Sequence, residues 1–346
     1  MGVGKLKPSG IVEGAPFMRA WQVHELGDPK SALTLREIEN PEPGPGEVLV
    51  EVEAAALNFF DILLCQGKYQ ERPDLPFTPG AEVAGTVSKV GEGVDLMPGT
   101  RVLATPPLPG GGFAERAVAS ADGSVFPVPE TMPFAAAAAM HTVYQTAYVG
   151  LHRRADLKEE ETVLVHAGAG GVGSAAIQLA NAAGARVIST AGGADKVEVC
   201  RKLGAEIALD YRKEGFVEAV KEATDGRGAD VIYDPVGGDV FDLSRKCVAF
   251  EGRIVVVGFA GGRIADAPTN HALVKNYSVV GLHWGLYNKL MPNVVQETHQ
   301  TLVRLYEEGL IDPLIYETIP FEDLPEALEL LGGRKTYGKL VTRPSA

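Results

Sequence analysis

The chain has 346 residues, 45% of them hydrophobic and 22% charged, which is typical of a globular protein with two domains or three small ones. Acidic residues outnumber basic ones by 45 to 32, and the resulting net charge of −13 argues against binding to nucleic acid or to anionic membranes. Three isolated cysteines without a CxxC pair exclude a disulfide framework and suit a reducing cytoplasm. No apolar run approaches the ~20 residues of a bilayer span. Residues 1–16 lack the features of a signal or transit peptide.

The first third of the chain has the alternating pattern of short β-strands. Apolar and polar residues alternate in several segments, and Gly and Pro residues separate these segments. Strands are predicted at residues 19–24, 47–54, 84–90 and 101–105. Short strands at this close spacing indicate a compact domain resembling a β-barrel.

From about Pro133 onwards, strand-like and helix-like segments alternate. Helices are predicted near residues 173–183, 195–203, 216–223 and 240–247. Strands are predicted at residues 163–166, 186–190, 207–210, 231–234, 253–258 and 278–283. Six strands joined by crossovers predict an α/β fold with a doubly wound parallel sheet. The tail from residue 293 contains a helix, a strand, a second helix and a final strand, and we predict that it rejoins the first domain.

The strongest motif is Gly168-Ala-Gly170-Gly171-Val172-Gly173, which follows a predicted strand and opens a predicted helix. Glycines in this setting let the backbone turn tightly and approach a pyrophosphate. The helix N-terminus presents free N–H groups and the positive end of its dipole to the same group. An ordinary glycine-rich turn is the alternative, but the alternating strands and helices around the motif favour dinucleotide binding.

The end of the second strand of this sheet indicates which dinucleotide binds. An NAD site usually has an Asp or Glu there, which accepts a hydrogen bond from the ribose 2′-hydroxyl. Here the strand ends at Thr190 and continues into small residues, including Gly192, and Asp195 is the nearest acid. Lys196 follows, and Tyr211 comes after the third strand. Because a lysine and a phenol can bind a 2′-phosphate that a carboxylate would repel, we predict NADPH as the cofactor.

Further motifs occur in a fixed order along the chain. They are EVLVEV at 47–52, LNFFD at 57–61, QGKY at 66–69, PGAEVAGTVSKVGEG at 79–93, KLGA at 202–205, DPVGG at 234–238 and GKLV at 338–341. With the glycine motif, they make the chain from Met18 onwards resemble the medium-chain dehydrogenase/reductase superfamily, in its zinc-independent quinone oxidoreductase branch. The resemblance implies a GroES-like β-barrel catalytic domain with a Rossmann domain inserted in it. The implied boundaries are 18–142 and 288–346 for the catalytic domain and 143–287 for the Rossmann domain.

The sequence differs from the zinc-dependent relatives at the metal site. Those relatives have a zinc-binding Cys in the segment corresponding to residues 55–61 and a zinc-binding His where this chain has Ala81. Zinc needs three or four Cys, His or carboxylate ligands, and Cys65 and Glu82 alone cannot supply them. The resemblance therefore implies hydride transfer without a metal. Such a transfer suits quinones and conjugated enones, whose reduced products are stabilised by delocalisation.

The resemblance also places several polar residues near the reacting groups. Asn58 and Tyr69 are the predicted catalytic residues. Asn58 is also expected to cap a helix and to contact the nicotinamide ribose, and Tyr69 to donate a proton or only to line the cleft. Asp61, His141 and His166 are expected to be structural. The remaining predicted cofactor contacts are Thr146, Gly192, Val236, Gly258, Phe259 and Arg334.

The predicted function is NADPH-dependent reduction of a small-molecule quinone or α,β-unsaturated carbonyl by direct hydride transfer in an interdomain cleft. Two alternatives stay open. One is a 2-enoyl thioester reductase with Tyr69 as proton donor. The other is a non-enzymatic NADPH-binding protein like the lens crystallins of this branch, which would contain the same phosphate-binding loop.

The segment from Ser278 to His283 is predicted to be the outermost strand of the parallel sheet. It is short and apolar on both faces, and it has neither a proline nor an inward charge. Because such an edge tends to pair with another strand, we predict a homodimer in which two copies of this segment meet across a two-fold axis. Relatives in this branch commonly form such a dimer. The alternative is a monomer in which residues 284–292 fold back over the edge.

Overall fold

The structure is a computed structural model that describes residues 16–344. Of the segment 1–16 considered above, all but Pro16 lies outside the described residues. The chain divides into two compact units. The first contains the chain up to His141 and again from Ile315, and the second is Thr142–Leu314. The inserted unit therefore continues past residue 288, where we predicted the return to the first domain.

The elements follow one another in the order expected for an inserted unit. The first part of the chain forms β1 (Phe17–Val23), α1 (Pro29–Ala32), β2 (Leu33–Glu39), β3 (Glu47–Ala56), α2 (Phe59–Cys65), β4 (Val83–Val90), β5 (Arg101–Ala104), β6 (Arg116–Ser120), β7 (Val125–Pro127) and α3 (Phe134–Tyr148). The middle part forms a π-helix (Val149–Arg154), β8 (Thr162–Val165), α4 (Gly171–Ala182), β9 (Arg186–Ala191), α5 (Ala194–Lys202), β10 (Ile207–Asp210), α6 (Phe216–Ala223), β11 (Ala229–Asp234), α7 (Gly238–Ser244), β12 (Val248–Val256), α8 (Thr269–Lys275), β13 (Ser278–Gly281), α9 (Gly285–Leu290) and α10 (Pro292–Glu307). The last part forms β14 (Ile315–Pro320), a 3-10 turn (Phe321–Asp323), α11 (Leu324–Gly332) and β15 (Lys339–Arg343).

The first unit is built around strand β3. Its alternating residues Val48, Val50 and Val52 are completely buried, and it pairs antiparallel with β4 and β6. Across residues 16–344, the sheet that contains β3 has seven strands, in the order β14-β15-β3-β4-β5-β7 with β6 on β3. We did not predict β2, β6 or β7. Strand β2 has four charged or polar residues among its seven, β6 contains two alanines, and β7 has only three residues, so none gives a strong strand signal.

The second unit is the predicted parallel sheet. In the described part of the chain its six strands have the order β10-β9-β8-β11-β12-β13, and every neighbouring pair is parallel. This is the strand order of a doubly wound dinucleotide-binding fold, with β8 and β11 on either side of the point where the order reverses. All four residues of β8 are buried, as expected for a strand covered on both faces.

Helix α10 explains why the second unit extends to Leu314. The helix buries Val295, Thr298, His299 and Leu302. The side chain of Gln145 donates a hydrogen bond to the Val295 carbonyl over 2.9 Å. Further along, the Asp312 N–H donates to Gln178 Oε1 over 2.7 Å. These contacts hold the segment to the inserted unit, and their partners are too distant in sequence for a pattern to reveal them.

Strand β13 lies at one edge of the parallel sheet, as predicted. The Leu282 N–H donates to the Val256 carbonyl over 3.0 Å. Because neighbouring residues of a strand direct their backbone groups to opposite sides, Val280 also faces β12, whereas Val279 and Gly281 face the open edge. The Arg154 side chain donates to the Gly281 carbonyl over 3.2 Å and covers one acceptor of that edge.

Candidate functional site

The glycines of the G-x-G-x-x-G turn have two different surroundings. A Cβ on Gly168 would lie 1.9 Å from Ser189 Oγ, and one on Gly173 would lie 2.2 Å from the Ala167 carbonyl oxygen. These two positions therefore need glycine for close packing. A Cβ on Gly170 would approach only the Ala167 carbonyl oxygen, at 3.2 Å, and would otherwise point into open space. Gly170 thus leaves room for a ligand to approach the backbone, as a pyrophosphate does in this motif.

Helix α4 begins directly at this open position. Gly170 is its N-cap and accepts a hydrogen bond from the Ser174 N–H over 2.8 Å. The N–H groups of Gly171, Val172 and Gly173 precede the first intrahelical donor, so helix geometry gives them no acceptor within the helix. Together with the positive end of the helix dipole, they fit the charge of a dinucleotide pyrophosphate.

The turn after β9 contains the predicted determinants of the 2′-phosphate. A Cβ on Gly192 would lie 2.6 Å from the Tyr211 hydroxyl oxygen and 3.2 Å from Arg212 Nε. The phenol and the guanidinium therefore pack beside this turn, and both residues are exposed. Lys196 lies in the first turn of α5 and is partly buried. These groups can donate hydrogen bonds to a phosphate. Arg212 is not among the residues predicted to bind the cofactor.

One carboxylate does lie at this turn, and we did not predict it. Asp210 ends β10 and is nearly buried. Its Oδ1 accepts hydrogen bonds from the Gly193 N–H over 3.0 Å and the Arg212 N–H over 3.1 Å. The bond from Gly193 is the main reason why the pKa of Asp210 is lowered. The prediction considered the end of the second strand, whereas this acid ends the third strand beside it and holds the loop.

Other predicted cofactor contacts lie at the carboxyl ends of β11 and β12. Val236 follows β11, and its N–H donates to Asp234 Oδ1 over 2.8 Å. Gly258 and Phe259 follow β12, and Phe259 is exposed. The Gly261 N–H donates to the Val236 carbonyl over 2.9 Å and joins the two loops. The structure therefore brings Val236, Gly258 and Phe259 to one edge of the sheet.

The two histidines considered from sequence are packed residues, as expected. His166 is buried, with Nδ1 3.0 Å from Thr190 Oγ1 and Nε2 2.9 Å from Ser244 Oγ. Burial lowers the pKa of His166 to about 3, so its ring is neutral. His141 is also buried and packs against the Phe126 ring, with 4.9 Å between the ring centroids.

The remaining two predicted cofactor contacts lie in different units. Thr146 belongs to α3 in the second unit, and its hydroxyl donates to the Thr142 carbonyl over 2.6 Å. Arg334 is exposed in the first unit, in the loop between α11 and β15, with a φ of 56°. Their roles at the cofactor stay predictions.

Four buried polar side chains of the first unit form what we call the Lys339 cluster: Asn58, Asp61, Glu82 and Lys339. None is more than 5% exposed. Lys339 Nζ lies 2.6 Å from Asn58 Oδ1 and 2.8 Å from Glu82 Oε1, and Asn58 Nδ2 lies 2.9 Å from Glu82 Oε1. Asp61 Oδ2 accepts a hydrogen bond from the Asn58 N–H over 2.8 Å, at the N-terminus of α2. Asn58 is thus the helix cap that we predicted, and Asp61 has the structural role expected of it.

Burial dominates the electrostatics of the Lys339 cluster. It raises the pKa of Asp61 to about 7, although the Asn58 N–H and the charge of Lys339 act in the opposite direction. The Lys339 ammonium balances the Glu82 carboxylate at contact distance. Lys339 is not among the predicted site residues. The available signal was a lysine at the head of a strand whose next three residues are apolar or small.

Tyr69 lies beside helix α2. Its ring stacks on Phe60, with 5.4 Å between the ring centroids, and it packs against the core of the first unit. Tyr69 is partly buried, and this burial raises the pKa of its phenol. The hydroxyl is therefore protonated at neutral pH and able to donate a hydrogen bond.

The positions that correspond to metal ligands in zinc-dependent relatives do not assemble a ligand set. In residues 16–344, no three or more His, Cys, Asp or Glu side chains are placed to hold a metal ion together. Cys65 is completely buried in α2, and burial raises the pKa of its thiol to about 12. Independence from metal stays a prediction.

Comparison with known proteins identifies the family. The model described as alcohol dehydrogenase GroES-like domain matches residues 44–130, and the one described as zinc-binding dehydrogenase matches residues 171–303. The quinone oxidoreductase-like protein 2 homolog of Nematostella vectensis is 41% identical over 331 residues, which cover 95% of this chain and 89% of that protein. Human quinone oxidoreductase is 32% identical, with 96% of this chain and 99% of that protein covered.

A solved structure extends this agreement to the fold. Escherichia coli quinone oxidoreductase complexed with NADPH has a TM-score of 0.87 and 32% identity, covering 94% of this chain and 100% of that one. The predicted fold, a Rossmann sheet inserted in a GroES-like domain, is confirmed. The chain therefore belongs to the medium-chain dehydrogenase/reductase superfamily, in the branch that contains the quinone oxidoreductases.

Proposed function

We propose that the protein is an NADPH-dependent oxidoreductase that reduces a quinone or an α,β-unsaturated carbonyl compound without a metal ion. The observation that carries the proposal is the turn after β9, where Tyr211 and Arg212 pack beside Gly192. No carboxylate ends β9 itself. The names of the relatives support the oxidoreductase class, and the NADPH in the Escherichia coli structure supports the cofactor.

The residues of the second unit fit the dinucleotide. When bound, NADPH supplies a hydride. The N–H groups at the start of α4 bind its pyrophosphate, and Gly170 leaves the space for it. Lys196 and Tyr211 bind the 2′-phosphate.

Tyr69 acts on the substrate in this proposal. Its protonated phenol donates a hydrogen bond to the carbonyl oxygen of the quinone or enone, which favours reduction by withdrawing electron density. The same hydroxyl can supply a proton to the reduced product. Direct hydride transfer then needs no Lewis acid, because delocalisation stabilises the product.

Turnover assays test the proposal. NADPH consumption is followed with a simple quinone, a conjugated enone and a 2-enoyl thioester, with and without exhaustive chelation. We expect turnover of the quinone or the enone that chelation leaves unchanged, and a loss of rate in Tyr69→Phe that is largest with the enone. Activity confined to the thioester would establish the enoyl reductase alternative. NADPH binding without any turnover would establish the non-enzymatic one.

We further propose a homodimer through β13. Large apolar side chains are exposed on this strand and on the helices that precede and follow it in the sequence, α8 and α9: Leu273, Val274, Val279, Leu286 and Leu290. Exposed apolar groups of this kind usually mark an interface. Helix α9 belongs to the segment that could instead cover the edge in a monomer, yet it buries none of its own residues. This observation favours the dimer.

A reducing compartment such as the cytoplasm is the proposed location. Cys65, Cys200 and Cys247 are free and buried, as expected of thiols that need no oxidising environment. Within the described residues, no helix has the length and apolar character needed to cross a bilayer.

A further inference from the structure

The carboxylate of Asp210 connects two segments at the carboxyl edge of the parallel sheet. Strands β9 and β10 pair as far as Ala191 and Asp210, and the Tyr211 N–H donates to the Ala191 carbonyl over 3.2 Å. Past that point, Oδ1 of Asp210 accepts from the Gly193 N–H over 3.0 Å and from the Arg212 N–H over 3.1 Å. One oxygen atom therefore joins the segment after β9 to the segment after β10.

The turn after β9 depends on this contact because of Gly193. This residue has a φ of 100° and a ψ of 154°, a backbone conformation that is open to glycine and strained for other residues. Glycine also has many competing conformations, so an external hydrogen bond is needed to select one of them. The bond from the Gly193 N–H to Asp210 does so. The carboxylate thus fixes the shape of the turn.

The guanidinium of Arg212 lies along the same turn. A Cβ on Gly192 would lie 3.2 Å from its Nε, and one on Gly193 would lie 3.3 Å from its Nη1. In the part of the chain that the structure describes, the ion-pair contact of Asp210 comes from Lys213, with 4.0 Å between Nζ and Oδ2, and not from Arg212. Asp210 therefore holds Arg212 by its backbone and leaves the exposed guanidinium for an anion. A guanidinium binds phosphate through two parallel hydrogen bonds.

We propose that Arg212 is a further donor to the 2′-phosphate of NADPH and that Asp210 is the positioning residue that holds it at the turn. The acid then favours NADPH through geometry. The opposite arrangement is that of NAD sites, in which a carboxylate accepts a hydrogen bond from the ribose 2′-hydroxyl and its charge repels a phosphate. The inference rests on the proposed function, because it requires NADPH with its 2′-phosphate at this turn.

Two substitutions separate the position of the Asp210 oxygen from its charge. Asp210→Asn keeps an oxygen that accepts from both N–H groups and removes the charge, whereas Asp210→Ala removes both. Dissociation constants for NADPH and NADH are measured by fluorescence titration. We expect Asp210→Ala to bind NADPH about tenfold more weakly, which corresponds to about one hydrogen bond, and to bind NADH almost unchanged. Asp210→Asn should bind NADPH at least as tightly as the wild type.

Arg212→Gln shows whether Asp210 acts through the guanidinium. This variant should also bind NADPH about tenfold more weakly and NADH unchanged. The variant that combines Asp210→Ala and Arg212→Gln should again lose about tenfold, because the position of a missing guanidinium no longer matters.

Asp230→Ala is the matched control for the change at Asp210. Asp230 lies near the amino end of β11, and its Oδ2 accepts from the Thr162 N–H over 2.8 Å. The control variant therefore loses the same charge and a similar hydrogen bond at the opposite edge of the same sheet. Its dissociation constants for NADPH and NADH should equal those of the wild type.

Several results would overturn the inference. Tighter binding of NADPH in both Asp210 variants would show that the carboxylate repels the phosphate. Equal losses for NADPH and NADH in Asp210→Ala, or failure of this variant to fold as judged by circular dichroism, would make Asp210 a structural residue. Unchanged NADPH binding in Arg212→Gln would exclude the guanidinium, and a combined loss of about a hundredfold, the additive value, would show that the two residues act independently. A wild-type protein that binds NADPH no more tightly than NADH would refute the proposed cofactor itself, and that result is distinct from the others.

Discussion

Replacing Gly170 with alanine should weaken cofactor binding without weakening the fold. Its φ of −80° and ψ of 176° are open to alanine, so the lower entropy of the unfolded chain favours the variant by about 0.4–1 kcal/mol. The preference of N-cap positions for glycine over alanine opposes this gain by about 1 kcal/mol. The free energy of unfolding should therefore change by less than about 1 kcal/mol.

The effect of Gly170→Ala on binding should be much larger. The new methyl group enters the open space at the start of α4, where the pyrophosphate is proposed to meet the backbone. Loss of one hydrogen bond to a charged group costs about 1.5–3 kcal/mol, which corresponds to a roughly 10- to 100-fold rise in the dissociation constant. Fluorescence titration with NADPH measures the binding, and urea unfolding measures the stability.

Gly173→Ala is the matched control for this experiment. Alanine normally stabilises a helix interior by about 1 kcal/mol relative to glycine. Here, however, its Cβ would lie 2.2 Å from the Ala167 carbonyl oxygen and 2.8 Å from the Gly168 Cα, so the backbone would have to move. Gly173→Ala should therefore lose stability where Gly170→Ala does not. Wild-type affinity for NADPH in Gly170→Ala would refute the assignment of the open position to the pyrophosphate.

Three further predictions follow from the structure. Lys196→Ala should weaken the binding of NADPH roughly 10- to 100-fold in titrations and leave the binding of NADH unchanged. Equal losses of affinity for both cofactors would contradict the 2′-phosphate assignment. Because the pKa of Asp61 is raised from 3.8 to about 7, its protonated form stabilises the fold at low pH, and about 4 kcal/mol of stability should be lost as pH rises from about 4 to 7. The free energy of unfolding of Asp61→Asn, measured in urea, should lack this pH dependence. The same pH dependence in the variant and the wild type would show the reasoning to be wrong. Val279→Pro should convert the dimer to a monomer in sedimentation with little loss of stability, because the backbone of Val279 faces the open edge. Val280→Pro should destabilise the sheet, because the backbone of Val280 faces β12. A wild-type protein that sediments as a monomer at micromolar concentration would contradict the dimer.

The parts of the fold that could be predicted are those with a local signal. The buried strand β8 is a short apolar run, β3 alternates with period two, and the glycine turn requires small residues within six positions of one another. Each of these patterns lies within a single element or turn. The strand order then follows, because parallel strands joined by right-handed crossovers leave few arrangements.

The parts that could not be predicted depend on partners far apart in the sequence. Asn58 and Lys339 are separated by 281 positions, and Glu82 comes from a third segment. Each residue has an ordinary local explanation: Asn58 caps a helix, Glu82 precedes a strand, and Lys339 begins the last strand. Only the sheet brings them together, because β15 pairs with β3 at Ala55 and Ala56 and β3 pairs with β4, which follows Glu82.

The Lys339 cluster shows how burial restricts the hydrogen bonds that a residue can make. In sequence, Asn58 could donate to a carbonyl or accept from a hydroxyl, since an exposed amide does both. In the structure, its nitrogen is directed at Glu82 and the Ala56 carbonyl, and its oxygen accepts from Lys339 and, in the capping box of α2, from the Asp61 N–H. Because the amide is fixed in this way, we propose that the donor to the substrate carbonyl is the phenol of Tyr69, which is protonated and stacks on Phe60 of α2.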